Sequence, residues 1–121
     1  FLDRGEDAFR LLEKEVLRKE LLIDDTVLAL GGGAPISIDA QAALRSIASP
    51  VVYLDVSLAT VAPRIGFNRD RPLLLHNPRG QWQTLMEARR PIYQSISNVI
   101  IDANDKSENE IVSAILKELA L

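Results

Sequence analysis

Apolar residues recur at helical spacing near the start of the chain. Phe9, Leu12, Val16 and Leu17 share one stripe between residues 6 and roughly 22, and Glu, Lys and Arg fill the opposite face. Spacings of three and four residues put a stripe on one side of a helix, so an amphipathic helix is predicted there, ended by Asp24 and Asp25. The run 26–30 (TVLAL) has a different signature. It is short, apolar, β-prone and stopped by Gly31, Gly32 and Gly33, which predicts a buried strand feeding a tight loop. Asp39 is placed to cap a short helix carrying Ala43, Leu44 and Ile47. A second buried strand, 50–54 (PVVYL), runs into Asp55 and Ser57. Ser57 is a candidate cap for a helix through Arg64, which Pro63 is expected to kink.

From residue 66 to residue 80 the pattern stops. Pro72, Pro78, two glycines and the cations Arg69, Arg71 and Arg79 follow no period, which predicts a long loop. Long loops in compact domains are usually functional. Helical spacing returns over 81–97 with Trp82, Leu85, Met86, Ile92, Tyr93 and Ile96, interrupted by Pro91. Residues 99–102 (VIID) form a third predicted strand. Ser107 with Glu110 three residues later is a capping box, opening a terminal helix whose stripe is Ile111, Ile115, Leu116 and Leu119. Helices alternating with buried strands make an α/β domain over 1–121, with a parallel sheet and helices on both faces.

Composition narrows the class. At 47% hydrophobic and 26% charged, the 121 residues fit one soluble globular domain. No apolar run approaches the roughly 18 residues that span a bilayer, and Asp3, Arg4, Glu6 and Asp7 replace a signal-peptide core. No membrane partner and a cytoplasmic location are therefore expected. The lack of Cys and the single His exclude disulfide frameworks and the usual zinc sites. A formal charge of −3 argues against a nucleic-acid partner but leaves room for a locally basic pocket.

Four features carry candidate chemistry. Gly31, Gly32 and Gly33 follow a predicted strand, at the end of an α/β sheet where ligands bind, and glycines let backbone amides approach a ligand closely; a plain flexible turn is the alternative. Arg64, Arg69 and Arg71 lie in or beside the loop, where a guanidinium can clamp phosphate, or simply be solvated. Arg89 and Arg90 precede Pro91 and point either inward or to water. Arg10 follows Phe9, an apolar anchor expected to face the core, so it is expected to be partly buried with a phosphate or carboxylate partner; a structural ion pair serves equally.

Together, Gly-Glu-x-x-Phe-Arg, Leu-Gly-Gly-Gly-Ala, Val-Val-Tyr-Leu, Arg-Pro-Leu-Leu and Leu-Met-x-x-Arg-x-Pro-x-Tyr resemble the shikimate kinases along the whole chain. The resemblance implies a small P-loop kinase with a parallel sheet in the order 2-3-1-4-5 and a mobile lid over roughly 66–80. The implied reaction is transfer of the γ-phosphate of ATP to the 3-hydroxyl of shikimate, on the route to aromatic amino acids. It implies that Arg10 and Arg89 grip the shikimate carboxylate and that the glycine triplet, Gly32 above all, contacts the substrate. Arg71 is implied to be the lid arginine that reaches the ATP phosphates, and Arg64 and Lys106 to border the adenine. Shikimate and ATP are the implied partners, Mg²⁺ the implied metal, and a monomer the implied state.

These 121 residues contain no G-x-x-x-x-G-K-[ST] motif, whose amides, lysine and hydroxyl hold the phosphates and Mg²⁺. Nor do they contain the family's aspartate base or a metal ligand set. The sequence is therefore expected to be the later portion of such an enzyme, inactive by itself. In the implied order, strands 26–30 and 51–54 face a slot between them. Buried unpaired backbone groups there cost about 1–3 kcal/mol each, so the two strands pair directly, another chain fills the slot, or the piece does not fold alone. Two alternatives stand beside this reading: a P-loop kinase of another hydroxy acid such as gluconate, and a truncated binding protein without catalysis.

Overall fold

The structure is a computed structural model that describes residues 5–65 and 78–120. The chain divides into two compact units, Phe1–Ser49 and Pro50–Leu121.

The first unit holds two helices, α1 (Gly5–Glu20) and α2 (Ile38–Ser46). Glu6 and Asp7 in the first turn of α1 and Arg18 and Lys19 in its last complement the helix dipole. Leu17, Ala40 and Leu44 are buried where α1 packs on α2. Lys14 Nζ lies 3.6 Å from Asp39 Oδ2 and links the two helices at the surface. Ser37, not Asp39, caps α2: its Oγ accepts from Ala40 N at 3.1 Å with an extended backbone. A cap must reach the amide two or three residues ahead, and Asp39 already sits inside the first turn.

Two further expectations fail in this unit. Residues 26–30 take no regular secondary structure and join no ladder with any described residue, and Val27 is 100% exposed. An apolar β-prone run becomes a buried strand only where a partner strand supplies its hydrogen bonds. Phe9, expected to face the core, is 42% exposed. Its stripe is apolar as predicted, but among the described residues of this unit little covers it.

The second unit contains β1 (Val52–Asp55), α3 (Leu58–Ile65), α4 (Pro78–Ile96), β2 (Val99–Asp102) and α5 (Glu108–Glu118). Its two strands pair in parallel, Val52 opposite Val99 through Asp55 opposite Asp102. A parallel pair needs a long crossover, and the segment carrying α3 and α4 provides it. Tyr53, Ile96, Ile101 and Ala103 are its buried core residues. The capping box of α5 is present in full: Ser107 Oγ accepts from Glu110 N at 3.1 Å, and Ser107 N donates to Glu110 Oε1 at 3.0 Å. The Ser107 backbone N–H is the main cause that lowers the Glu110 carboxyl pKa below its ordinary value.

Helix α4 corrects the sequence reading at two points. It starts at Pro78, absorbing the last three residues of the expected loop, because proline is well suited to the first helical position. It also continues through Pro91 without interruption. The missing N–H of Pro91 removes one rung of the ladder, and packing of the helix outweighs that local loss.

Asparagine side chains tie both ends of the strand pair. Asn98 Oδ1 accepts from Val51 N at 2.6 Å at one end, and Asn104 Oδ1 accepts from Ser57 N at 2.8 Å at the other. Asn104 Oδ1 also accepts from Thr60 Oγ1 at 2.8 Å, so it fixes the start of α3.

Candidate functional site

In the first unit, the amide-rich turn and the predicted arginine meet. The glycine triplet turns back through Ala34 N to Gly31 O at 3.1 Å and Ile36 N to Gly33 O at 3.4 Å. Arg10 projects from α1 onto it. A Cβ added at Gly33 would lie 2.3 Å from Arg10 Nη1 and 2.8 Å from Cζ, so only glycine leaves the guanidinium its seat. The same guanidinium donates to Glu13 Oε1 at 2.7 Å, and its Nη2 reaches Glu6 Oε1 at 3.4 Å. Its Cζ stands 5.2 Å from the centroid of the Phe9 ring. The hydrogen bond to Glu13 is the largest influence, and it raises the Arg10 pKa above the ordinary value, against a smaller desolvation effect. The intramolecular ion pair left open by the sequence is thus present. It uses only part of the five-donor fork, so an added carboxylate has free N–H groups to meet.

Beside this seat, Phe9, Leu12, Val16 and Leu17 of α1 and Leu28 and Leu30 of the segment 26–30 line an apolar groove of about 290 Å³.

In the second unit, Arg89 and Arg90 occupy successive positions of α4, about 100° apart around the axis. Arg90 is engaged: its Nη2 lies 3.5 Å from Asp55 Oδ1 at the carboxyl end of β1. Tyr53 Oη donates to the same oxygen at 3.0 Å. The rings of Tyr53 and Tyr93 stand 5.2 Å apart at 49°. Burial, with the Asp55 carboxylate, pushes the Tyr53 phenol up to about 12. Arg89 is half-buried and has no ion pair or side-chain hydrogen bond among the described residues. A guanidinium in that state is suited to an anionic ligand.

The turn after β2 is shaped by Asp102 and Asp105. Asn104 N donates to Asp102 Oδ1 at 2.9 Å, which lowers the Asp102 pKa, and Asp105 adopts a left-handed φ of 56°. Lys106 Nζ donates to the carbonyl of Asp102, so this candidate residue is folded back on its own turn. Arg64 lies on α3, and Arg71 lies outside the described residues. Among the described residues, no cluster of three or more His, Asp or Glu is arranged to hold a metal ion, so they do not fit a magnesium site.

The structure therefore joins Arg10 to the glycine triplet at Gly33 and, among the described residues, gives Arg89 no ion pair beside its engaged neighbour. Sequence reasoning missed Asp55, Tyr53 and Asn104 as organising residues. The signal for them was positional: acidic or amide side chains at the carboxyl ends of two parallel strands, where α/β proteins build their sites.

Comparisons with known proteins identify the family. The shikimate kinase family profile matches residues 1–120. A shikimate kinase of Streptomyces coelicolor is 42% identical over 121 residues, covering all of this chain and 70% of the relative. One from Mycobacterium tuberculosis is 38% identical over 120 residues, covering 98% of this chain and 67% of the relative. Among solved structures, a shikimate kinase from Acinetobacter baumannii in complex with shikimate superposes with a TM-score of 0.88 at 28% identity, covering 99% of this chain and 67% of that one. The α/β architecture with a parallel strand pair is that of a portion of this P-loop kinase fold, and the chain belongs to the shikimate kinase family.

Proposed function

We infer that the protein is an ATP-dependent kinase of shikimate, and that these 121 residues carry its substrate-gripping arginines. The observation that supports this best is the Arg10 guanidinium seated on Gly33. It brings together two motifs distant in sequence and makes a cation beside exposed backbone amides, a receptor for a small carboxylate. Arg89, which has no ion pair among the described residues, supplies a second guanidinium in this reading. Binding there fixes the substrate ring by its carboxylate and leaves the 3-hydroxyl free to react. The hydroxyl oxygen forms a bond to the γ-phosphorus, the bond to the bridging oxygen of ATP breaks, ADP departs and the hydroxyl proton is released. Arg64 and Lys106 border the adenine in this reading, and Arg71 reaches the phosphates when the lid closes; a cytoplasmic monomer completes it.

Turnover kinetics of the full-length protein test the reading. Arg71→Ala is expected to lower turnover by about 10³–10⁵ with shikimate affinity nearly unchanged, because an arginine arriving on closure acts mainly on transition-state charge. Arg69→Ala, two residues away, is expected to be mild. Equal losses in the two variants, or no response to shikimate by the unmodified enzyme, would defeat it.

A further inference from the structure

Arg90 lies next to the substrate arginine yet faces a different group. Adjacent helix residues differ by about 100°, so two neighbouring arginines do not serve one carboxylate from the same face. What Arg90 holds instead is Asp55, the last residue of β1, at 3.5 Å. Tyr53 donates to the same carboxylate oxygen at 3.0 Å, and Tyr53 packs its ring on Tyr93 at 5.2 Å. Arg90 and Tyr93 are three residues apart and so share one edge of α4. The edge of α4 is thus fastened to β1 at two points, one turn apart.

The fastening sits where the helix is weakest. Pro91 falls between the two points and lacks the N–H that would close the ladder beneath it. Rotation about that gap would swing Arg89, two residues before Pro91, away from any fixed ligand. The choice of arginine is also not what packing alone would favour, since Arg90 Nε is buried without a hydrogen-bond partner among the described residues.

We propose that Arg90, held by Asp55, is a positioning residue that fixes the direction of Arg89 and so sets affinity for the substrate carboxylate. This rests on the reading of Arg89 given above. It assigns no contact between Arg90 and substrate. Removing the pair leaves the Arg89 guanidinium present but mobile, which lowers carboxylate affinity without touching nucleotide binding.

Calorimetric titrations of the full-length protein with shikimate, and separately with a non-hydrolysable ATP analogue, test it on Arg90→Met, Asp55→Asn, their combination and Arg89→Ala. Arg90→Met and Asp55→Asn are each expected to weaken shikimate about three- to tenfold, and the double variant no further, because the two act as one unit. Analogue affinity is expected to stay constant. Should Arg90→Met fold poorly, Asp55→Asn alone decides. If Arg89→Ala costs tenfold or more while the Asp55 and Arg90 variants cost nothing, the positioning role is wrong and the pocket reading stands. If Arg89→Ala costs nothing, both fall. Parallel loss of shikimate and analogue in Asp55→Asn would show a structural pair with no positioning role.

Discussion

The two units present the same kind of cation in opposite states. In the first, Arg10 is paired with Glu13 and Glu6 and seated on a glycine, while the nearby segment 26–30 joins no ladder among the described residues. In the second, Arg89 has no ion pair among the described residues, and its neighbours Arg90, Asp55 and Tyr53 are engaged with one another around a formed parallel ladder. One unit holds its arginine through the arginine's own contacts; the other holds the helix that carries it. Positioning a charge and neutralising it are therefore separable tasks, and this chain uses both solutions.

The ladder contrast predicts the largest effect. In amide hydrogen exchange on the 121-residue chain, residues 52–55 and 99–102 are expected to be protected on the order of a thousandfold or more, and 27–30 to exchange near the free-peptide rate. Equal protection in both segments would mean that 26–30 has a partner strand, erasing the difference between the units.

Gly33→Ala sharpens the contrast at the site. The new Cβ would occupy the place of Arg10 Nη1, 2.3 Å away, but the guanidinium is the end of a flexible side chain and can move aside. The variant of the full-length protein is expected to keep its melting temperature within a few degrees and to lose shikimate affinity by about fivefold to tenfold, less than a whole charge-assisted hydrogen bond. Unchanged affinity would show that the seat of Arg10 is incidental.

The smallest effect concerns Tyr53. Its neutral form is favoured in the folded state, with the phenol raised from 10.0 to about 12 by burial and Asp55. The associated stability is complete below about pH 10 and declines as pH rises towards 12, because the unfolded chain releases that proton first. Urea midpoints measured across this window are expected to fall in the wild type and to fall less in Tyr53→Phe. Parallel declines would detach Tyr53 from the Asp55 cluster.

What the sequence made legible follows from how far each interaction reaches. The capping box at Ser107 and Glu110 and the stripe of α1 depend on residues three or four apart, and both are found. Strands 50–54 and 99–102 were readable as apolar runs, and they pair. The run 26–30 carries the same signature and stays unpaired, since a ladder needs a partner that a local pattern does not specify. The motif string identified the family and singled out Arg10 and the glycine triplet, but that the guanidinium rests on Gly33 is visible only in the structure. The roles of Arg90, Asp55 and Asn104 were hidden for the same reason as the missing ladder: Asp55 meets Arg90, and Asn104 meets Ser57, only through the crossover.

The central claim is that Arg10 and Arg89 recognise a carboxylate, and esterifying that carboxylate tests it most directly. Dissociation constants for shikimate and its methyl ester would be measured by calorimetry on the full-length protein and on Arg89→Ala. A charge-assisted contact is worth about 1.5–3 kcal/mol, so the unmodified protein is expected to prefer the acid by about ten- to hundredfold. In Arg89→Ala that preference is expected to shrink towards the share left to Arg10. Equal binding of acid and ester by the unmodified protein, or an undiminished preference in Arg89→Ala, would contradict the account.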